Sequence, residues 1–139
     1  MRIFRYKREE TLGAYNFGSH QIYVCYLTDT KGNKHKGISF HYPNSFAEVP
    51  LPLDPSQANK FISFLTEVAN HNLPNKHTLK CGFKNYFTNL YFNFMPYDKN
   101  MINSKISTGN MLGVNIMKDK VKLSSILACL NTLQELYNA

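Results

Sequence analysis

Arginine is scarce in this sequence and tryptophan is missing. The three arginines, Arg2, Arg5 and Arg8, fall within the first eight residues, and the other thirteen basic side chains are lysines. Lysine presents a point charge to a phosphate, whereas bidentate reading of base edges favours the arginine fork. Any contact with nucleic acid is therefore expected to engage the backbone and to be weakly sequence-specific. Cysteine is scarce too. Cys25, Cys81 and Cys129 are odd in number and far apart, which suits neither a disulfide framework nor a zinc knuckle. Each stands in an apolar run and reads as a small buried hydrophobe, pointing to a reducing, cytoplasmic setting. Long hydrophobic runs are absent as well. No window approaches the roughly 18 apolar residues of a membrane span, and basic residues 1–8 are too short and interrupted for a signal peptide.

Acidic residues are few and scattered: nine in all, with Glu9 and Glu10 the one adjacent pair. A metal-dependent nuclease or a glycosidase needs carboxylates converging on one point. Asp29, Asp98 and Asp119 are candidates only if folding gathers them, and all three fall in expected turns, where aspartate is favoured anyway. The five histidines, His20, His35, His41, His71 and His77, show no ligand spacing. Pairing Cys25 or Cys81 with His20, His41 or His77 as a nucleophile is disfavoured, because burial raises a thiol's pKa. Gly109-Asn110-Met111-Leu112-Gly113 lacks the lysine of a phosphate loop. The expectation is a non-enzymatic protein with no catalytic residue, no metal and no cofactor.

What is present describes a folded domain. Hydrophobic residues make up 43% of the 139, aromatics 14% and charged residues 18%, the reverse of a disordered composition. A chain this long can bury roughly two thirds of its unfolded surface, so residues 1–139 are expected to form a single domain. The net charge of +7 is uneven. Up to Asn72 there are eight basic and six acidic residues; after it there are eight and three. Sixteen asparagines beside the thirteen lysines suggest AT-rich coding, as in many bacteria, phages and plasmids.

The patterning predicts an α+β fold. Residues 2–8 alternate apolar and basic as a short strand. Residues 20–28 and 35–42, joined by a turn with Gly32, form a hairpin. A proline-studded stretch, 43–52, then leads out of the sheet. Asp54-Pro55-Ser56-Gln57 starts a helix over about 55–71, with Asp54 as cap, Pro55 at the first position and Gln57 completing a capping box. Its stripe is Ala58, Phe61, Ile62, Leu65, Val68 and Ala69. Residues 78–84, 86–95 and 111–117 read as strands, with a polar loop at 96–110. A last helix from about 124 to 137 carries Ile126, Leu127, Leu130, Leu133, Leu136 and Tyr137. Two successive strand-strand-strand-helix units, with both helices on one face of an antiparallel sheet, describe this pattern.

Residues 83–97 are the most unusual segment. On a strand, Leu90, Phe92 and Phe94 share a core face, while Phe87, Asn89, Tyr91, Asn93 and Met95 share the other. Aromatics interleaved with asparagine and flanked by Lys80, Lys84 and Lys99 suit the stacking of bases beside backbone phosphates. They equally suit the centre of a protein–protein interface, or a face covered by the chain itself. Tyr23 and His41 extend the same surface in this reading, with Lys31, Lys34 and Lys36 at the hairpin tip. The leading expectation is a domain binding single-stranded nucleic acid or RNA, with lysines giving affinity and Tyr23, Phe87 and Tyr91 stacking. The alternative is a small inhibitor or adaptor from a phage, plasmid or other mobile element that binds a larger protein. A third is an immunity or assembly protein with its interface at 86–97.

Overall fold

In the computed structural model of the chain, the described residues form eight strands in two antiparallel sheets, and one helix follows each. The structure describes residues 6–41, 48–70, 79–85, 88–96, 100–110 and 113–138. At positions 79–81, 83–85, 88–89, 96, 110 and 113–115 it describes the backbone alone. The first sheet has the order β1 (Lys7–Phe17), β2 (His20–Thr28), β3 (Lys34–His41), β4 (Glu48–Pro52), and α1 (Pro55–Ala69) follows. The second has the order β5 (Leu79–Asn85), β6 (Thr88–Pro96), β7 (Met101–Asn110), β8 (Gly113–Lys122), and α2 (Leu123–Asn138) follows.

The α+β class, the antiparallel pairing and the two helices are as the patterning predicts. Each unit is one strand longer than expected, and the strands divide between two sheets. The proline-studded stretch does not leave the sheet: β4 pairs with β3, Phe40 opposite Val49 and Ile38 opposite Leu51. As an edge strand β4 tolerates Pro50 and Pro52, whose missing N–H groups break no central ladder. The expected loop at 96–110 is largely β7, which pairs with β6 over 102–109 and with β8 over 101–110. Its inner row is Ile102, Ser104, Ile106 and Thr108, all buried. Two of the four are polar, which conceals the alternation. Ser104 Oγ donates to the Asp119 carbonyl at 3.2 Å. The first strand, expected over 2–8, is described from Lys7 and runs on to Phe17, with irregular register at Arg8/Glu10 and Thr11/Gly13; residues 2–5 lie outside the described residues. The last strand extends five residues beyond 117, so Asp119 stands in a strand and not in a turn. Asp98 lies outside the described residues.

One core draws on both sheets and both helices. It joins Ile22, Val24, Ile38 and Phe40 to Leu90, Phe92, Phe94, Ile106 and Val121. Phe61 of α1 stacks on Phe92 with centroids 5.2 Å apart, and Phe64 meets Phe94 at 5.1 Å. Such pairs add about 0.5–1.5 kcal/mol each beyond their buried area. The α1 start is as expected: Gln57 N donates to Asp54 Oδ1 at 2.8 Å, and Asp54 N donates to Gln57 Oε1 at 3.1 Å. On α2, Cys129 takes an interior place that the stripe gave to Leu127, which is 42% exposed.

Candidate nucleic-acid interface

Strand alternation turns every second residue of the second sheet away from the core. On β6 the buried residues are Leu90, Phe92 and Phe94, so Tyr91, Asn93 and Met95 face outward. The register carries that face across the sheet in rows. One row pairs Gly82, Tyr91, Ser107 and Ile116; the next pairs Lys80, Asn93, Lys105 and Lys118; beyond it stand Met95, Asn103 and Lys120. Tyr91 is 48% exposed, Met95 43% and Ile116 51%. Every charged residue at the outward register positions is a lysine: 80, 84, 105, 118, 120 and 122.

Two open grooves cross this face. One is lined by Lys60, Gly82, Tyr91, Asn93, Lys105 and Ser107. Lys60 reaches it from α1 and donates to the Gly82 carbonyl at 2.9 Å. The other runs past Met95, Asn103, Lys105, Lys118 and Lys120 to Gly18 and Asp119 at the β1–β2 turn. Asp119 is turned toward that turn. Its Oδ2 accepts from Ser19 Oγ at 3.0 Å and lies 3.3 Å from His20 Nδ1. Serine, histidine and aspartate thus meet, but not as a relay. Ser19 and Asp119 address the same imidazole nitrogen, and the serine donates to the carboxylate rather than to the ring.

The expected site residues fall in three places. Tyr91 and Asn93 lie on the face just described, and the register sets positions 80, 84 and 89 on it too. Phe87 lies outside the described residues, and of Lys80, Lys84 and Asn89 only the backbone is described. Tyr23 and His41 do not extend this surface: they belong to the first sheet, with ring centroids 5.9 Å apart. The Arg8 guanidinium sits 4.0 Å above the Tyr23 ring and forks onto Glu48, Nε to Oε2 at 3.0 Å and Nη2 to Oε1 at 2.6 Å. Burial alone would raise the Glu48 pKa, yet the bonds from Arg8 and Ser39 hold it below the usual carboxylate value. Lys34 and Lys36 stand apart from both, in register with the inward row of β3. Lys34 lies over Tyr26 at 4.3 Å and 3.3 Å from Glu10, and Lys36 lies 5.7 Å from the Tyr137 ring.

Sequence reading missed Lys105, Lys118, Lys120 and Ile116. The period-two run Lys118, Lys120, Lys122 was the available signal. No three His, Cys, Asp or Glu side chains gather to hold a metal among the described residues. Burial pushes the Cys25 thiol up to about 12, and Cys129 further in the same direction. No described helix is long and apolar enough to cross a membrane.

Fold and face together define an α+β protein of two four-strand-and-helix units with an aromatic, lysine-bordered sheet surface. No family model matches the chain, and no curated protein does. Among solved structures it is similar to WHY1 from Arabidopsis thaliana, with a TM-score of 0.50 over 95% of this chain and 88% of that one. Identity is 8%, so the likeness is one of fold.

Proposed function

We propose that this chain binds single-stranded nucleic acid, DNA or RNA, on the outer face of its second sheet, without catalysing a reaction on it. The observation that carries this reading is the half-exposed Tyr91 on a face whose charged register positions are all lysines. An aromatic ring stacks on any base, and lysines displace the counterions condensed on phosphate. The likeness to WHY1 supports nucleic-acid binding at the level of fold only. A second reading, an adaptor or inhibitor on a larger protein with an acidic surface, draws support from Met95 and Ile116, apolar and exposed on the same face as Tyr91. Docking with a second copy through this face would set lysine against lysine.

The test is fluorescence anisotropy of a labelled oligothymidylate titrated with the protein at roughly 50 mM salt, where charge attraction is strong. Binding is expected to weaken with salt and to weaken again in Tyr91→Ala. A folded parent protein that does not bind under these conditions removes the nucleic-acid reading and leaves the protein partner.

A further inference from the structure

We propose that a phosphate-binding track crosses the second sheet through the cross-strand pair Lys105–Lys118, so that an unpaired strand lies perpendicular to the β-strands with its bases over Tyr91 and Ile116. The inference rests on the nucleic-acid reading and gives that site a path and a preferred ligand. Lys105 and Lys118 stand directly opposite each other on neighbouring strands. Like charges so placed repel, and among the described residues neither has an acidic partner. Asp119, which lines the same groove, is held toward Ser19 and His20. An anion between the two lysines relieves the repulsion that the fold leaves standing.

The rows set the direction. The register runs from position 80 through Asn93 and Lys105 to Lys118, across all four strands. The Tyr91–Ser107–Ile116 row lies two residues away along each strand, roughly 7 Å at a rise of about 3.4 Å per residue. A line of phosphate partners therefore adjoins a row that carries two exposed large hydrophobic side chains, Tyr91 and Ile116. A duplex would meet the lysines but keep its bases stacked inside, leaving Tyr91 and Ile116 against nothing. An unpaired strand satisfies both rows. A track along β8, through Lys118, Lys120 and Lys122, would run away from Tyr91 instead of beside it.

The experiment compares Lys105→Ala, Lys118→Ala and Lys122→Ala in the full chain, with circular dichroism to establish that each is folded. Oligothymidylate binding is read as a function of salt. Lys105→Ala and Lys118→Ala should each flatten the log–log salt slope by about 0.7, the value of one phosphate contact on a single strand. Lys122→Ala, two rows off the track, should flatten it less than either, and a duplex of equal length should bind more weakly. Parental slope in Lys105→Ala with a flattened slope in Lys122→Ala overturns the track while leaving nucleic-acid binding intact. So does inorganic phosphate that displaces the oligomer at matched phosphate concentration, because the pair would then serve free phosphate. A parent protein that binds no oligomer fails at the underlying reading, and the track falls with it.

Discussion

The Tyr91 ring lies across Gly82 of the neighbouring strand, its Cδ1 and Cε1 edge filling the space that a side chain at position 82 would occupy. Glycine weakens a strand interior, since it brings backbone entropy and no packing surface. Here the cross-strand ring supplies the cover while Tyr91 itself stays 48% exposed. Gly82→Ala should lift the ring, because the obstructing atoms belong to a side chain that can rotate. The variant should stay folded and bind oligonucleotide more weakly. Tyr91→Ala sets the limit of that loss at about 1–3 kcal/mol, the range for one base–aromatic stack. Parental affinity in both variants would take Tyr91 out of the site.

Lys105 and Lys118 make a second prediction, on stability. Directly opposed like charges cost about 0.2–1 kcal/mol relative to a neutral pair. Lys118→Ala should therefore raise the urea midpoint slightly while lowering affinity for an oligonucleotide. Opposite signs in the two measurements mark a residue kept for binding. A lower urea midpoint would mean that the Lys118 stem packs, and the repulsion argument would lose its footing.

Much of this was readable without coordinates. Asp54, Pro55 and Gln57 announce α1 through local backbone chemistry alone, and Leu90, Phe92 and Phe94 declare the buried face of β6 by alternation. The strands that escaped are those whose inner rows break the hydrophobic rule. Ser104 and Thr108 hide β7, and Pro50 and Pro52 hide β4, because an edge strand has ladder positions that need no donor. With β7 taken for a loop, Lys105 had no sheet to stand on. Nothing local shows that β2 and β6 belong to different sheets, so Tyr23 and Tyr91 looked like neighbours. Lys34 and Lys36 were legible in principle. They keep the parity of Ile38 and Phe40, the inward row, but a charged hairpin tip reads as exposed whichever way it points.

His20 predicts a pH dependence. It is fully buried, stacked on Phe40 at 5.1 Å, and close to Asp119. Burial is the largest influence and lowers its pKa from 6.5; Asp119 pulls it back up in part, and His41 pushes the same way as burial. A histidine whose folded value is depressed contributes its full stability above the unfolded value. That contribution is lost as pH falls through the folded value, because the unfolded chain takes up the proton first. The melting temperature should therefore drop between about pH 7 and pH 5, and it should drop less in His20→Gln. Equal slopes in the two proteins would assign the acid sensitivity elsewhere.

Tyr23 and Tyr91 are the sharpest contrast the molecule offers, two strand tyrosines with opposite surroundings. Tyr23 has Arg8 4.0 Å above its ring and donates its hydroxyl to Gln21 Oε1 at 2.8 Å. The Arg8 fork is itself fixed by Glu48. A base stacking on Tyr23 would have to displace a guanidinium already engaged in a cation–π contact, worth about 0.5–1 kcal/mol at an exposed site and more when desolvated. Tyr91 has no such partner among the described residues and is 48% exposed. Tyr23→Ala should thus lower stability, through the lost contact with Arg8, and leave oligonucleotide affinity within about twofold of the parent. Tyr91→Ala should cost at least about fivefold in affinity, the lower end of the stacking range. Both variants are compared by anisotropy at one salt concentration and by thermal melting. If Tyr23→Ala loses as much binding as Tyr91→Ala while remaining folded, the first sheet belongs to the site after all, and the strand's path must reach it.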